Sequence, residues 1–130
     1  MKAFVEQKIK AGVQNWVSFY KDHLERVRKD NLGQSSHGLK PENVINFVIQ
    51  DYQALILDEV GMKLMTEAEK ALFYRIVDGR YKLGLPTTVI TNYDPEHLKS
   101  SNGIGFQSFD RLVQGKKIIT CSWCSLRGKH

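Results

Sequence analysis

The chain has 130 residues, of which 42% are hydrophobic and 25% charged, with a formal net charge of +5. That length suits one domain with a real core, and the composition is ordinary for a soluble globular chain. The longest apolar runs are far too short to span a bilayer, "MKAFVEQKIKAG" has no signal-peptide core, and two cysteines without secretory context suit a reducing cytoplasm.

The charge is unevenly placed. No acid follows Asp110, whereas Arg111, Lys116, Lys117, Arg127 and Lys129 do. A basic end of this kind suits the phosphate of a nucleotide or of a nucleic acid. It suits a solvated face equally well.

In chain order, the first dozen residues read as a helix, with Phe4, Val5 and Ile9 at helical spacing and Gly12 as a stop. "NWVSFY" is aromatic and β-branched, which predicts a strand. "KDHLERVRKDN" predicts a helix with Leu24 and Val27 inward, "LGQSSHGLKPEN" a loop, and Asn43 to Asp51 a further helix. "QALILDEVG" is a short continuous apolar run, the pattern of a strand buried on both faces of a parallel sheet. Thr66 with Glu69 matches a capping box, so a helix is predicted from about 67 to 82, with Ala68, Leu72, Ile76 and Arg80 in one stripe. "GLPTTVITNY" predicts another strand apolar on both faces, "DPEHL" a short helix, "SNGIG" a loop, "FQSFDRLVQG" a helix and "KKIITCSW" a final strand. Strands alternating with helices argue a three-layer α/β fold with a mostly parallel sheet.

In such sheets functional groups gather at the carboxyl ends of the strands. Asp58, Glu59 and Asn92 all fall there. An acid pair after a buried strand suits a magnesium nucleotide, one carboxylate holding the ion through its waters and the other polarising the attacking water. An amide at Asn92 would orient that water. Acids also end strands for solubility alone.

The span from "YQALILDEVG" through "FYRIVDGRYKLGLPTTVITN" to "FDRLVQG" and "SLRGK" resembles the AAA+ ATPase core of DnaC/DnaI-type replicative helicase loaders. The ATPase subunits of IS21-type transposons share much of this pattern. The resemblance implies a P-loop NTPase-like sheet in which "LILDE" is the Walker B motif, with Asp58 as the magnesium acid and Glu59 as the catalytic glutamate. It makes Asn92 of "ITN" the sensor I residue and Arg111 of "FDRL" one of the nucleotide-facing arginines. It also implies ATP and Mg2+ as cofactors, and as partners other loader-like subunits, the replicative helicase complex and single-stranded DNA, with Lys116 and Lys117 in the basic stretch that would meet the DNA.

Two departures oppose full activity. The 130 residues contain no G-x-x-x-x-G-K-[ST] loop to cradle a triphosphate; by the resemblance the chain starts where the helix after that loop begins, as an N-terminally truncated core. Gln107 stands where family members commonly carry an arginine offered to the neighbouring subunit, and an amide does not replace an arginine finger. The expectation is therefore a single domain over residues 1–130 with weak or no nucleotide binding and no autonomous ATP hydrolysis. Its sheet, cut beside the missing strand, would favour self-association. An ATPase whose phosphate loop lies upstream, a non-catalytic interaction module and an inactive remnant all stay open.

Other signals are weaker. Cys121 and Cys124 form a single C-x-x-C, which supplies only two metal ligands, and the four histidines have no ligand spacing. Trp16 and Trp123 read as packing. Tyr74 and Tyr81 share a helix face as half-exposed packing, and Arg75 and Arg80 read as surface arginines.

Overall fold

The computed structural model describes residues 11–34, 40–61, 63–114 and 118–121. The helix expected at the N-terminus lies outside them up to residue 10, as do Lys116, Lys117, Trp123 and Cys124.

The first described element is not a helix end but a strand, β1 (Ala11–Asn15). Gly12 is part of it: a Cβ there would come within 2.6 Å of the Tyr52 ring, so glycine lets the strand pass under that ring. The helix α1 then runs Trp16–Asn31, which overturns the strand expected over "NWVSFY". The cause is Asn15, whose side chain accepts from the Ser18 N–H at 3.1 Å and caps the helix. Trp16, Phe19 and Tyr20 follow the i, i+3, i+4 spacing of one helical face and enter the core. Leu24, expected inward, is half exposed at 50%.

Helix α2 (Pro41–Gln50) starts at a proline in its first turn and buries Ile45, Val48 and Ile49. Strand β2 is Ala54–Val60. Helix α3 covers Glu67–Lys82, the predicted bounds. Its cap works as half a capping box: Thr66 Oγ1 accepts the Glu69 N–H at 3.1 Å, but the Glu69 carboxylate accepts from Trp16 Nε1 at 2.8 Å. That bond satisfies the indole of a tryptophan with no exposed surface. The buried stripe of α3 is Leu72, Phe73, Ile76, Val77 and Arg80, while Ala68 is exposed. Strand β3 (Thr87–Thr91), α4 (Pro95–Lys99) and α5 (Phe106–Val113) complete the regular elements among the described residues. Ile118–Cys121, the described part of the expected last strand, is not in a strand.

The fold is α/β with a parallel three-stranded sheet in the order β1-β2-β3. Both crossovers step in the same direction, so right-handed connections place their helices on one face. That face is packed: Leu55 and Leu57 are almost fully buried, and Trp16 meets Phe73 edge-on at 5.0 Å between ring centroids. The opposite face is open among the described residues. Val13, Ile56 and Thr88 are register partners across the three strands, yet Val13 is 66% and Ile90 50% exposed. The strands expected to be buried on both faces are buried on one, and the third layer is not among the described residues.

Arg80 is the largest departure from a surface reading. It is completely buried, and its guanidinium donates to Thr87 Oγ1, to the carbonyls of Val48, Ile49 and Tyr52, and to that of Pro86, at 2.8–3.1 Å. One side chain thus ties the end of α2 to the entries of β2 and β3, satisfying backbone acceptors at a helix end.

Candidate site at the carboxyl edge of the sheet

Asn15, Asp58 and Asn92 mark where the three parallel strands end. Asn15 and Asp58 are register partners, and Asn92 follows the last residue of β3. The end of β2 is irregular: Leu57 pairs with Val89 and Val60 with Thr91, so β2 carries one extra residue there. Glu59 absorbs it with φ +58, the one non-glycine residue at positive φ among the described residues. A bulge of this type re-aims a side chain, and holding a non-glycine residue in the left-handed region costs roughly 1–2 kcal/mol.

The bulge brings Glu59 to Asn15. Asn15 Nδ2 donates to Glu59 Oε2 at 2.6 Å while its Oδ1 caps α1. The Glu59 N–H in turn donates to Asp58 Oδ1 at 2.9 Å, so one oxygen of Asp58 is fixed by the bulge. Glu59 is exposed and Asp58 half-buried. On the β3 side, Gly61 (φ +85) lies directly under Tyr93; a Cβ there would stand 2.7 Å from the ring, so only glycine allows this approach. The Tyr93 ring lies 4.0 Å from that of His97, and Asn92 is exposed beside them.

The structure therefore brings Asp58, Glu59 and Asn92 to one edge and adds Asn15, which the sequence reading missed. The signal lay in register: two residues 44 apart meet only once β1 and β2 pair as neighbours. Among the described residues no group of three or more His, Cys, Asp or Glu is placed to cage a metal ion. The donor set still fits magnesium, which is commonly held by one or two carboxylates, waters and the substrate's phosphates.

Arg111 is elsewhere. On α5 its Nε donates to Asp78 Oδ1 at 3.0 Å, its guanidinium lies over the Tyr81 ring at 4.9 Å, and Nη1 is 3.5 Å from Asp110. Lys82 takes the other oxygen of Asp78 at 2.9 Å. Lys82 first, and Arg111 after it, hold the Asp78 carboxyl below its usual range against the opposing effect of burial. Helix α3 returns antiparallel to β2, so Asp78 lies roughly 16 Å along it from Glu67. Gln107 is exposed on the same α5. Lys116 and Lys117 lie outside the described residues.

A separate open groove of about 430 Å³ runs between α1, α2 and α3, lined by His23, Glu42 and Arg75 among others. Arg75 is ion-paired with Glu42 across it. Among the described residues no helix is long and apolar enough to cross a membrane.

No family model matches the chain. Its sequence is 28% identical over 102 residues to the replicative helicase loader DnaC of Escherichia coli (strain K12), covering 78% of this chain and 40% of that protein. Shigella flexneri DnaC gives the same figures. The replicative helicase loader DnaC of Buchnera aphidicola subsp. Baizongia pistaciae (strain Bp) is 30% identical over 82 residues, 62% of this chain and 32% of the relative. The chain thus spans two fifths or less of the length of these relatives. The similarity supports a DnaC-type relationship.

Proposed function

From that DnaC-type relationship, we propose that the chain is a helicase-loader ATPase-core protein of DNA replication, with an AAA+-like architecture, that does not hydrolyse ATP by itself. The observation that carries this is the β2 edge, where a strained bulge presents Glu59 to Asn15 and fixes Asp58 beside it. Strain of this kind at a strand end is kept where the side chain has a task.

Each residue has a part to play in that reading. Asp58, with Oδ1 on the Glu59 amide, keeps its second oxygen for Mg2+ or one of its waters. Glu59 would accept a hydrogen bond from the attacking water and so polarise it, and Asn15 limits where its carboxylate points. Asn92, one strand away, orients the same water. Mg2+ and ATP, when bound, supply the charge neutralisation and the scissile phosphate. The described chain offers no run of backbone N–H groups and lysine for the triphosphate, so nucleotide binding is weak until another segment or molecule supplies one.

Contacts carry the rest of the function. The sheet face with Val13 and Ile90, left uncovered by the described residues, suits self-association or docking on a loader-like subunit. The acid-free stretch after Asp110, with Lys116 and Lys117, suits the phosphates of single-stranded DNA.

The experiment is steady-state ATP turnover by the purified chain beside its Glu59→Gln variant. Equal, background-level rates are expected. Turnover that the variant abolishes would overturn the claim that the chain is inactive alone.

A further inference from the structure

Tyr93 is held at three points, and its ring ends on the turn that follows the acid pair. Its N–H donates to Thr91 Oγ1 at 3.1 Å, its ring packs against the hydrophobic core, and the ring centroid lies 4.0 Å from that of His97. His97 is fixed in turn, because the Asp94 side chain accepts its N–H at 2.8 Å and caps α4. What the Tyr93 ring covers is Gly61, where a Cβ would stand 2.7 Å and 2.9 Å from two ring carbons. This contact lies directly beyond the pairing of Val60 with Thr91, and the Glu59 bulge lies directly before that pairing.

A non-glycine residue stays at φ +58 only where its surroundings over-determine it. Asn15 restrains the Glu59 carboxylate on the β1 side, but it leaves the backbone of β2 free to slip. Erasing the bulge would advance the end of β2 by one position, and Val60 would then take the place of Gly61 under the ring. A side chain does not fit there. The ring on Gly61 therefore forbids the slip, and the bulge it preserves supplies the Glu59 N–H that Asp58 Oδ1 accepts at 2.9 Å. We infer that Tyr93 is a positioning residue: seated on Gly61, it locks the strand register that keeps Glu59 in the bulge and orients the Asp58 carboxylate for a divalent cation. The cation rests on the magnesium reading of Asp58 given above; the register lock does not.

The test takes two readings on the full chain. Mn2+ stands in for Mg2+, its affinity measured from the electron paramagnetic resonance of the free ion, with Asp58→Asn locating the site. Without metal, the bulge is followed by the strong intraresidue amide–Hα NOE that a residue at positive φ gives at Glu59. Tyr93→Ala should weaken Mn2+ binding roughly fivefold and lose that NOE. Tyr93→Phe, which keeps the ring, should match the wild type in both. Wild-type Mn2+ affinity or a retained NOE in Tyr93→Ala would overturn the positioning role. If Tyr93→Ala does not fold, Tyr93→Leu, which keeps apolar volume without the flat ring, decides by the same two readings. A wild type without Asp58-dependent Mn2+ binding would overturn the magnesium reading and the cation half of the inference, while loss of the NOE in Tyr93→Ala would still uphold the lock.

Discussion

Asn15 and Glu59, 44 positions apart in sequence, share a 2.6 Å hydrogen bond at the carboxyl edge of the sheet. The same asparagine caps α1. One side chain therefore links the start of a helix, the end of β1 and the acid that the β2 bulge turns outward.

Replacing Asn15 should show both roles. Asn15→Ala removes the cap and should lower stability by about 1 kcal/mol. A double-mutant cycle with Glu59→Ala, read by urea denaturation, should give a coupling of roughly 0.5–1 kcal/mol. Strict additivity would mean that the hydrogen bond contributes nothing in solution.

The backbone of Glu59 makes a separate prediction. Glycine tolerates φ +58 and a β-branched residue does not. Glu59→Val should lower stability by roughly 1–2 kcal/mol relative to Glu59→Gly, measured by thermal unfolding. Equal stabilities would mean that the bulge relaxes.

Arg80 should be the costliest polar residue to replace. Arg80→Met removes the guanidinium's donors from the carbonyls of Val48, Ile49 and Tyr52 and from the Thr87 hydroxyl, while the Pro86 carbonyl keeps the Leu55 N–H, for a loss of about 3–5 kcal/mol in denaturant unfolding. Arg80→Lys should recover only part of this, because an ammonium has three donors and no planar fork. A loss under about 1 kcal/mol for Arg80→Met would contradict the keystone role.

His23 lines the groove between α1, α2 and α3, and its pKa is lowered from 6.5 by burial first, then by Arg26 and Arg75, with Glu42 opposing. The folded state thus binds fewer protons at this site than the unfolded chain. The stabilising contribution is full above about pH 6.5 and is lost as the pH falls through the lowered value. Stability should decline on acidification below about pH 6.5, and His23→Gln should flatten that part of the profile. An unchanged slope in the variant would assign the decline to other groups.

Local signals were readable from the residues. Thr66 with Glu69 three residues on, and the stripe through Leu72 and Ile76, mark the bounds of α3, and the apolar run before Asp58 marks β2. Trp16 reads as packing and is core, but the aromatic enrichment of "NWVSFY" points to a strand and hides the i, i+3, i+4 spacing of the helix that Asn15 caps. Arg80 looked like a surface residue because its acceptors belong to α2, β2 and β3 and converge only in the fold. The Asn15–Glu59 contact, likewise, depends on strand register. The open sheet face was hidden too, since alternation of burial in β3 depends on what covers it.

In the proposed function, Asp58 and Glu59 form the metal side of a nucleotide site at this edge. Paramagnetic broadening by substoichiometric Mn2+, a stand-in for Mg2+, tests it most directly. Selective loss of amide signals around residues 57–61 and 91–93 is expected, abolished by Asp58→Asn. Broadening centred elsewhere, or unchanged in Asp58→Asn, would contradict it.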